Sequence, residues 1–204
     1  DAVAYFNLGN TEKELGRLEE AEASYKKAIN IKADFTEAYS NLGLVQKEQG
    51  RLEEAIATFR QAIISKPDYA VAYFNLANIE NELSRLGEAE AGYNKAIELK
   101  PDYVEAYFNL GNILKNIGRL NEAEVCYKKA ITIKPDYAVA HCNLGITLQL
   151  LGRLNEAEVS YKKAITIKAD FTEAYNNLGN ILHKKGKLDD AIEKYSQALT
   201  LDPE

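Results

Sequence analysis

The sequence predicts an all-α solenoid of six antiparallel helix pairs, and two observations carry that reading. The 204 residues equal six lengths of 34. Residues 119–136 and 153–170, offset by 34, match at 16 of 18 positions and differ only at Cys126/Ser160 and Pro135/Ala169. A fixed period of this size marks a repeat architecture, in which each unit buries its apolar face on its neighbours. The repeats run 2–35, 36–69, 70–103, 104–137, 138–171 and 172–204, the last one residue short. No linker or charge run interrupts them, so a single continuous array is expected.

Certain places in the repeat are tightly restricted. Place seven is leucine throughout, from Leu8 to Leu178, and place eight is Gly9, Gly43, Ala77, Gly111, Gly145 and Gly179. Places twenty and twenty-seven are alanine in every repeat, as in Ala123 and Ala130, while place twenty-four carries an aromatic ring (Tyr25, Phe59, Tyr93, Tyr127, Tyr161, Tyr195). Small residues at fixed places let two helices approach, and the ring fills the gap between them. In repeat four, Asp102 is expected to cap the first helix, with Glu105 completing a capping box; Asp34/Glu37 and Asp170/Glu173 repeat the arrangement. Gly118 suits a left-handed helix end. The second helix should open at Asn121 and Glu122, end near Lys134 and be stopped by Pro135. Ala33 and Ala169 replace that proline, so softer joints are expected there. Place eleven is polar in the first three repeats (Glu12, Gln46, Glu80) and leucine in the last three (Leu114, Leu148, Leu182), which predicts a less stable first half.

Composition excludes several classes of function. With 25 Lys+Arg against 31 Asp+Glu the net charge is −6, a poor basis for neutralising nucleic-acid phosphates or for holding an anionic membrane. No apolar stretch is long enough to span a bilayer. A hydrophobic fraction of 46% with only four prolines excludes a disordered chain. Cys126 and Cys142 lack metal or redox spacing, which points to free thiols and a cytoplasmic location. The chain begins at Asp1, as a cut or processed piece would.

The order Tyr107, Leu110, Gly111, Ala123, Tyr127, Ala130, Pro135 closely resembles the tetratricopeptide-repeat pattern, with Tyr for the usual Trp, and the match recurs in phase six times. The resemblance implies a right-handed superhelix whose concave groove holds a peptide or partner segment. A helical wheel places residues two, five, six, nine, twelve and thirteen of each repeat opposite the core, and the resemblance assigns that side to the groove. Place six is asparagine without exception: Asn7, Asn41, Asn75, Asn109, Asn143 and Asn177. Helix propensity does not explain this, whereas amides pair with a peptide backbone whatever its side chains. The repeated Asn-Leu-Gly is similar to the asparagine ladder in the superhelix of O-linked N-acetylglucosamine transferase. The amides either contact ligand or bridge neighbouring helices, and the two roles are compatible. Phe6, Phe74 and Phe108 at place five, with Asn78, Asn112 and Lys115, complete the candidate peptide-contacting set; the rings either meet a partner or lie on the next repeat. Family members that clamp chaperone tails place Lys or Arg at places two, five and six, and none stands there here.

Chemistry finds no purchase in this pattern. His141 and Cys142 are consecutive, so their side chains diverge by about 100° and a shared proton is not expected; the wheel sends His141 to the core and Cys142 to the groove. No metal or cofactor set and no phosphate-binding loop is present. The expected function is a non-catalytic interaction module binding an extended peptide or partner segment. The alternatives are a substrate-presenting arm of a larger enzyme such as a glycosyltransferase, and an engineered repeat scaffold. The first and last repeats, unmatched by neighbours, are expected to support head-to-tail self-association.

Overall fold

The computed structural model describes residues 1–202, and its secondary structure there is entirely helical. The helices are α1 (Ala2–Glu14), α2 (Leu18–Ile31), α3 (Thr36–Glu48), α4 (Leu52–Ser65), α5 (Ala70–Glu82), α6 (Leu86–Leu99), α7 (Val104–Asn116), α8 (Leu120–Ile133), α9 (Ala138–Leu150), α10 (Leu154–Ile167), α11 (Thr172–Lys184) and α12 (Leu188–Leu201). Two compact units divide after Pro101. The first holds α1–α6 and the second α7–α12. Within each, a first helix packs on its own second helix, which then packs on the first helix of the next repeat. The expected solenoid of helix pairs is therefore present in both units.

The close approach within each pair follows from residue size. A Cβ added to Gly9 would lie 2.8 Å from Cε1 of Tyr25, and one added to Gly145 would lie 2.6 Å from Cε1 of Tyr161. Tyr25, Tyr127 and Tyr161 are wholly buried by this contact, as are the alanines flanking them in the second helices. Repeat three solves the same problem differently. It carries Ala77 where the others have glycine and Gly92 at place twenty-three, where the others have Ser24, Thr58, Cys126, Ser160 and Lys194. A Cβ on Gly92 would come within 2.8 Å of the Ala77 Cβ, so the methyl group has moved across the helix interface.

Helix ends follow the sequence only in part. Gly118 turns left-handed at φ 81°, as expected, but Ser84 takes that role in repeat three at φ 59°. The expected Asp102 cap does not form. The residue preceding α7 is Tyr103, without a side-chain cap bond, and Phe35 and Phe171 precede α3 and α11 in the same way. These rings must be the last extended residues to enter the core, where Phe35 and Tyr103 are buried, and this pushes each aspartate one residue too early to cap. Lysines cover the rings, Lys32 at 5.1 Å from the Phe35 centroid and Lys134 at 5.3 Å from Tyr137. Among the described residues only Asp1 caps as aspartate does, with Oδ1 accepting from the Val3 amide at 2.9 Å. The turn at Ala33 keeps the hydrogen bond of the turn at Pro135, Phe35 N to Lys32 O and Tyr137 N to Lys134 O both at 3.2 Å.

The polar residues at place eleven are all matched. Ser24 Oγ donates to Glu12 Oε2 at 2.6 Å, and Thr58 Oγ1 donates to Gln46 Oε1 at 2.6 Å. Glu80, nearly fully buried, meets Arg85 Nη1 at 3.2 Å and Arg60 Nη2 at 3.7 Å. Where place eleven becomes leucine, Ser160 turns its hydroxyl back to the Glu156 carbonyl at 3.1 Å.

Ion pairs link consecutive repeats. Glu124 of α8 accepts from Lys128 Nζ at 2.6 Å and from Arg153 Nη1, beyond the next helix pair's turn, at 2.6 Å. Glu158 meets Lys162 and Lys185 Nζ, each at 2.6 Å, and Glu22 meets Lys26 and Arg51. Hydrogen bonds from Lys162 and Lys185 hold the Glu158 carboxyl down at about 2. Burial pushes Glu22 and Glu124 upward, yet hydrogen bonds and charge from their cationic partners outweigh it and leave both below the ordinary carboxylate range. The outer face of α12 leaves Ile192 and Leu199 exposed.

Candidate peptide-binding face

The first helices of each unit present places six, nine, twelve and thirteen on one side, and the amides there form a connected system. Asn10 Oδ1 accepts from Tyr25 Oη at 2.8 Å and from Asn41 Nδ2 of the next repeat at 2.8 Å. In the second unit Asn112 Oδ1 accepts from Tyr127 Oη at 2.8 Å and from Asn143 Nδ2 at 3.3 Å. Tyr93 donates likewise to Asn78 at 2.7 Å, and Tyr195 to Asn180 at 2.9 Å. Two donors on one carbonyl oxygen occupy its lone pairs and fix which way the amide points, so the NH2 group of Asn10 and Asn112 is turned away from the carbonyl's partners. Asn41 and Asn143 thus bridge repeats, one of the two roles open to the place-six amides. Asn7 is exposed, while Asn75, Asn109 and Asn177 are half-buried.

Exceptions to this system are correlated. Repeat two has Leu44 at place nine, and its ring is Phe59, which has no hydroxyl to satisfy. Repeat five has Ile146 there but keeps Tyr161, whose hydroxyl donates instead to Gln149 Oε1 at 3.1 Å. The importance of Asn10 and Asn180 is visible only once the tyrosine contact is seen; the pairing of Leu44 with Phe59 was the available sequence signal.

At place five, Phe6 and Phe108 sit at the seam with the following repeat of their own unit. Phe6 lies 5.9 Å from Tyr25 and 4.9 Å from Phe35 between centroids, and Phe108 lies 6.0 Å from Tyr127 and 5.0 Å from Tyr137. Phe74 packs at 5.9 Å on Tyr93. All three rings are half-buried. Small residues at the same place vanish under the neighbouring helix: Ser40 and Cys142 are almost wholly covered. Cys142 therefore does not line the groove, contrary to the wheel, because the adjoining repeat closes over place five. Burial pushes its thiol up to about 12. His141 is half-buried rather than core, with Nε2 3.0 Å from the Pro135 carbonyl and its pKa lowered by burial.

Charge on this side is arranged by repeat. Lys13 pairs with Glu48 of the next repeat at 3.1 Å, and Lys47 pairs with Glu82 at 3.2 Å. Lys115, the equivalent lysine of repeat four, donates to Asn143 Oδ1 at 3.1 Å. Asn10, Lys13, Glu14, Asn41 and Glu48 line an open depression of about 550 Å³ with Tyr25 at its floor. Among the described residues no group of His, Cys, Asp and Glu is placed to hold a metal ion, and no helix is long and apolar enough to cross a membrane.

Residues 1–203 match the family model described as the cilia and flagella-associated protein 70 C-terminal domain, a tetratricopeptide-repeat model. The chain belongs to the tetratricopeptide-repeat family. No curated protein matches it. Among solved structures, it is similar to MamA, at 25% identity over 79% of this chain and 95% of that one, with a TM-score of 0.76. PilF of Pseudomonas aeruginosa is 19% identical over 99% of this chain and 92% of its own, with a TM-score of 0.85. YrrB, described as a TPR protein with an unusual peptide-binding site, is 21% identical over 88% of this chain and 93% of its own, with a TM-score of 0.77. At these identities PilF and YrrB share the fold alone.

Proposed function

We propose that this tetratricopeptide-repeat chain is a non-catalytic protein-interaction module that binds an extended peptide or partner segment along the amide-bearing side of its first helices. The observation that carries the reading is the orientation of Asn10 and Asn112. Their carbonyl oxygens are held by tyrosine and neighbouring asparagine, so their N–H groups are directed for use rather than free to rotate. Preset donors cost little ordering on binding and read backbone carbonyls whatever the peptide's side chains. The half-buried Phe6, Phe74 and Phe108 supply apolar area beside them. The description of YrrB as a peptide binder agrees with the proposal. The acidic net charge supports a protein rather than a nucleic-acid partner, and two free, buried thiols fit a reducing compartment such as the cytoplasm.

The test exploits a substitution the protein already uses. Changing Asn112→Leu together with Tyr127→Phe recreates the Leu44/Phe59 pair of repeat two and removes the amide without orphaning a hydroxyl. Melting should stay close to wild type, while affinity for bound peptide falls by about 0.5–1.5 kcal/mol for each net hydrogen bond lost. Unchanged affinity in a folded double variant would refute the assignment.

A further inference from the structure

The outward faces of α1 and α12 carry the two sides of a joint that the protein already makes inside its first unit. Residues 2–8 and 70–76 both read Ala-Val-Ala-Tyr-Phe-Asn-Leu, so α1 begins as α5 does. Residues 188–192 read Leu-Asp-Asp-Ala-Ile, and residues 52–56 at the start of α4 read Leu-Glu-Glu-Ala-Ile. These two repeats have isoleucine at place twenty-one, where the other four have glutamate. Where α4 packs on α5, Ile56 is 2% exposed in a cluster with Ala72, and Leu76 and Leu83 lie against it. The equivalent side chains of α12 and α1 are uncovered: Ile192 is 62% exposed, Leu8 47% and Leu15 62%.

The polar groups of these faces match in the same register. At the α4–α5 joint Arg85, in the turn before α6, reaches back to the Glu53 carboxylate. Arg17 and Asp189 hold the corresponding places sixteen and eighteen; both are exposed, and among the described residues neither has a salt-bridge partner. Asn10 and Asn112 each take a second amide from place six of the next repeat, whereas Asn180 Oδ1 accepts from Tyr195, and the place-six Asn7 is exposed. Between α11 and α12 lies a depression of about 310 Å³, lined by Thr172, Asn176, Tyr195, Ala198, Leu199 and Asp202. Residues at the same places of repeat one surround Phe35 and Ala38, the ring and the place-three alanine that lead into the next first helix.

We propose that the α12 face of one copy of this chain receives the α1 face of a second copy, in the register of the α4–α5 joint. Arg17 then meets Asp189 of the neighbouring copy, Asn7 donates to its Asn180, and Ala4 enters the depression as Ala38 does in repeat one. The occupant is a second copy because this one chain carries both halves of the joint, the apolar side chains and the arginine–carboxylate pair alike. Asp1 stands where the internal joint has Tyr69, so the contact between copies is weaker than the one inside the chain. The two surfaces are different, so every assembly keeps one α1 face and one α12 face free and grows past two copies. The proposal does not depend on peptide binding.

Sedimentation equilibrium of the 204-residue chain, over a concentration series reaching the millimolar range, tests this. The average mass of wild type should rise with concentration past twice that of one chain. Arg17→Asp and Asp189→Arg, at exposed positions, each set like charges face to face and should raise the concentration of half-association about fivefold or more. An equimolar mixture of the two variants should associate as wild type does, because every joint between unlike variants again pairs opposite charges. Asp1→Tyr extends the match with residues 69–76, and Tyr69 shows that no side-chain cap is needed there. It should tighten association about threefold or more as the ring enters the depression. Helical circular dichroism of each dilute variant should match wild type. Wild type that stays a single chain throughout, a mass that stops at two chains, a mixture no better than its parts, or an Asp1→Tyr chain no tighter than wild type would each overturn the proposal.

Discussion

The exchange of Ala77 and Gly92 predicts a coupling that neither residue shows alone. Gly92→Ser would place a Cβ 2.8 Å from the Ala77 Cβ and 3.3 Å from the Tyr73 carbonyl, both inside contact distance. Overpacking of this kind costs about 1–3 kcal/mol, offset by about 0.5 kcal/mol of helix propensity gained over glycine. Ala77→Gly loses a wholly buried methyl group, about 0.8 kcal/mol, together with about 1 kcal/mol of propensity. Each single variant should therefore be destabilised, by roughly 0.5–2.5 and 1–2 kcal/mol respectively. The double variant reproduces the glycine-at-eight, serine-at-twenty-three arrangement of Gly9/Ser24 and should recover most of the loss. Urea denaturation followed by helical circular dichroism would read the three midpoints, with a coupling energy of about 1–3 kcal/mol expected for residues in contact. A double variant as unstable as the sum of the singles would refute the proposed exchange.

Other consequences follow from single contacts. Ser84→Gly removes a left-handed serine costing about 1–2 kcal/mol, less about 0.5–1 kcal/mol of extra unfolded-state freedom; the melting temperature should rise by about 2 °C, and a fall would contradict the strain. Glu12→Leu recreates the Leu148/Ser160 pair, so Ser24 can turn to its own helix as Ser160 does; stability in a thermal melt should hold or rise by up to about 1 kcal/mol, and a clear loss would show that Ser24 has no such fallback. The Glu158 carboxyl, held at about 2 against an ordinary 4.5, contributes stability that is complete above pH 4.5 and lost as pH falls towards 2. That contribution is on the order of 1–3 kcal/mol, and Glu158→Gln should flatten the acid limb of a pH–melting curve by this amount; an unchanged limb would discount the inter-repeat clamp.

How far the sequence could be read depended on whether a residue's role lay inside its own repeat. Helix positions, the left-handed Gly118 and the glycine–tyrosine contact are set within 34 residues, so the period exposed them. The cap at Asp102 was misplaced because a capping pattern says nothing of a ring that must enter the core one residue later. Place five was misjudged for Cys142 because a helical wheel treats one helix in isolation, whereas the neighbouring repeat decides what remains exposed. The polar core of the first three repeats looked like a liability. Ser24 and Thr58 come from the second helix of the same repeat, Arg85 from the turn before it and Arg60 from the second helix of the preceding repeat, so their pairing with place eleven is not apparent from the first helix alone. The amide row was legible at place six, but it is organised by asparagine at nine, which takes a tyrosine hydroxyl from the second helix of its own repeat and, for Asn10 and Asn112, an amide from the first helix of the next.

The claim that oriented amides meet the ligand is tested most directly by the side-chain amide signals themselves. In nitrogen–proton correlation spectra, the Nδ2 protons of Asn10, Asn112 and Asn180 should shift as a synthetic, end-capped peptide of alternating Ser and Leu is added, and should do so along one saturation curve. Signals around Val125 and Val159 on the second helices, both exposed, should stay in place. Movement confined to the second helices, with the asparagine amides unmoved at saturation, would contradict the account.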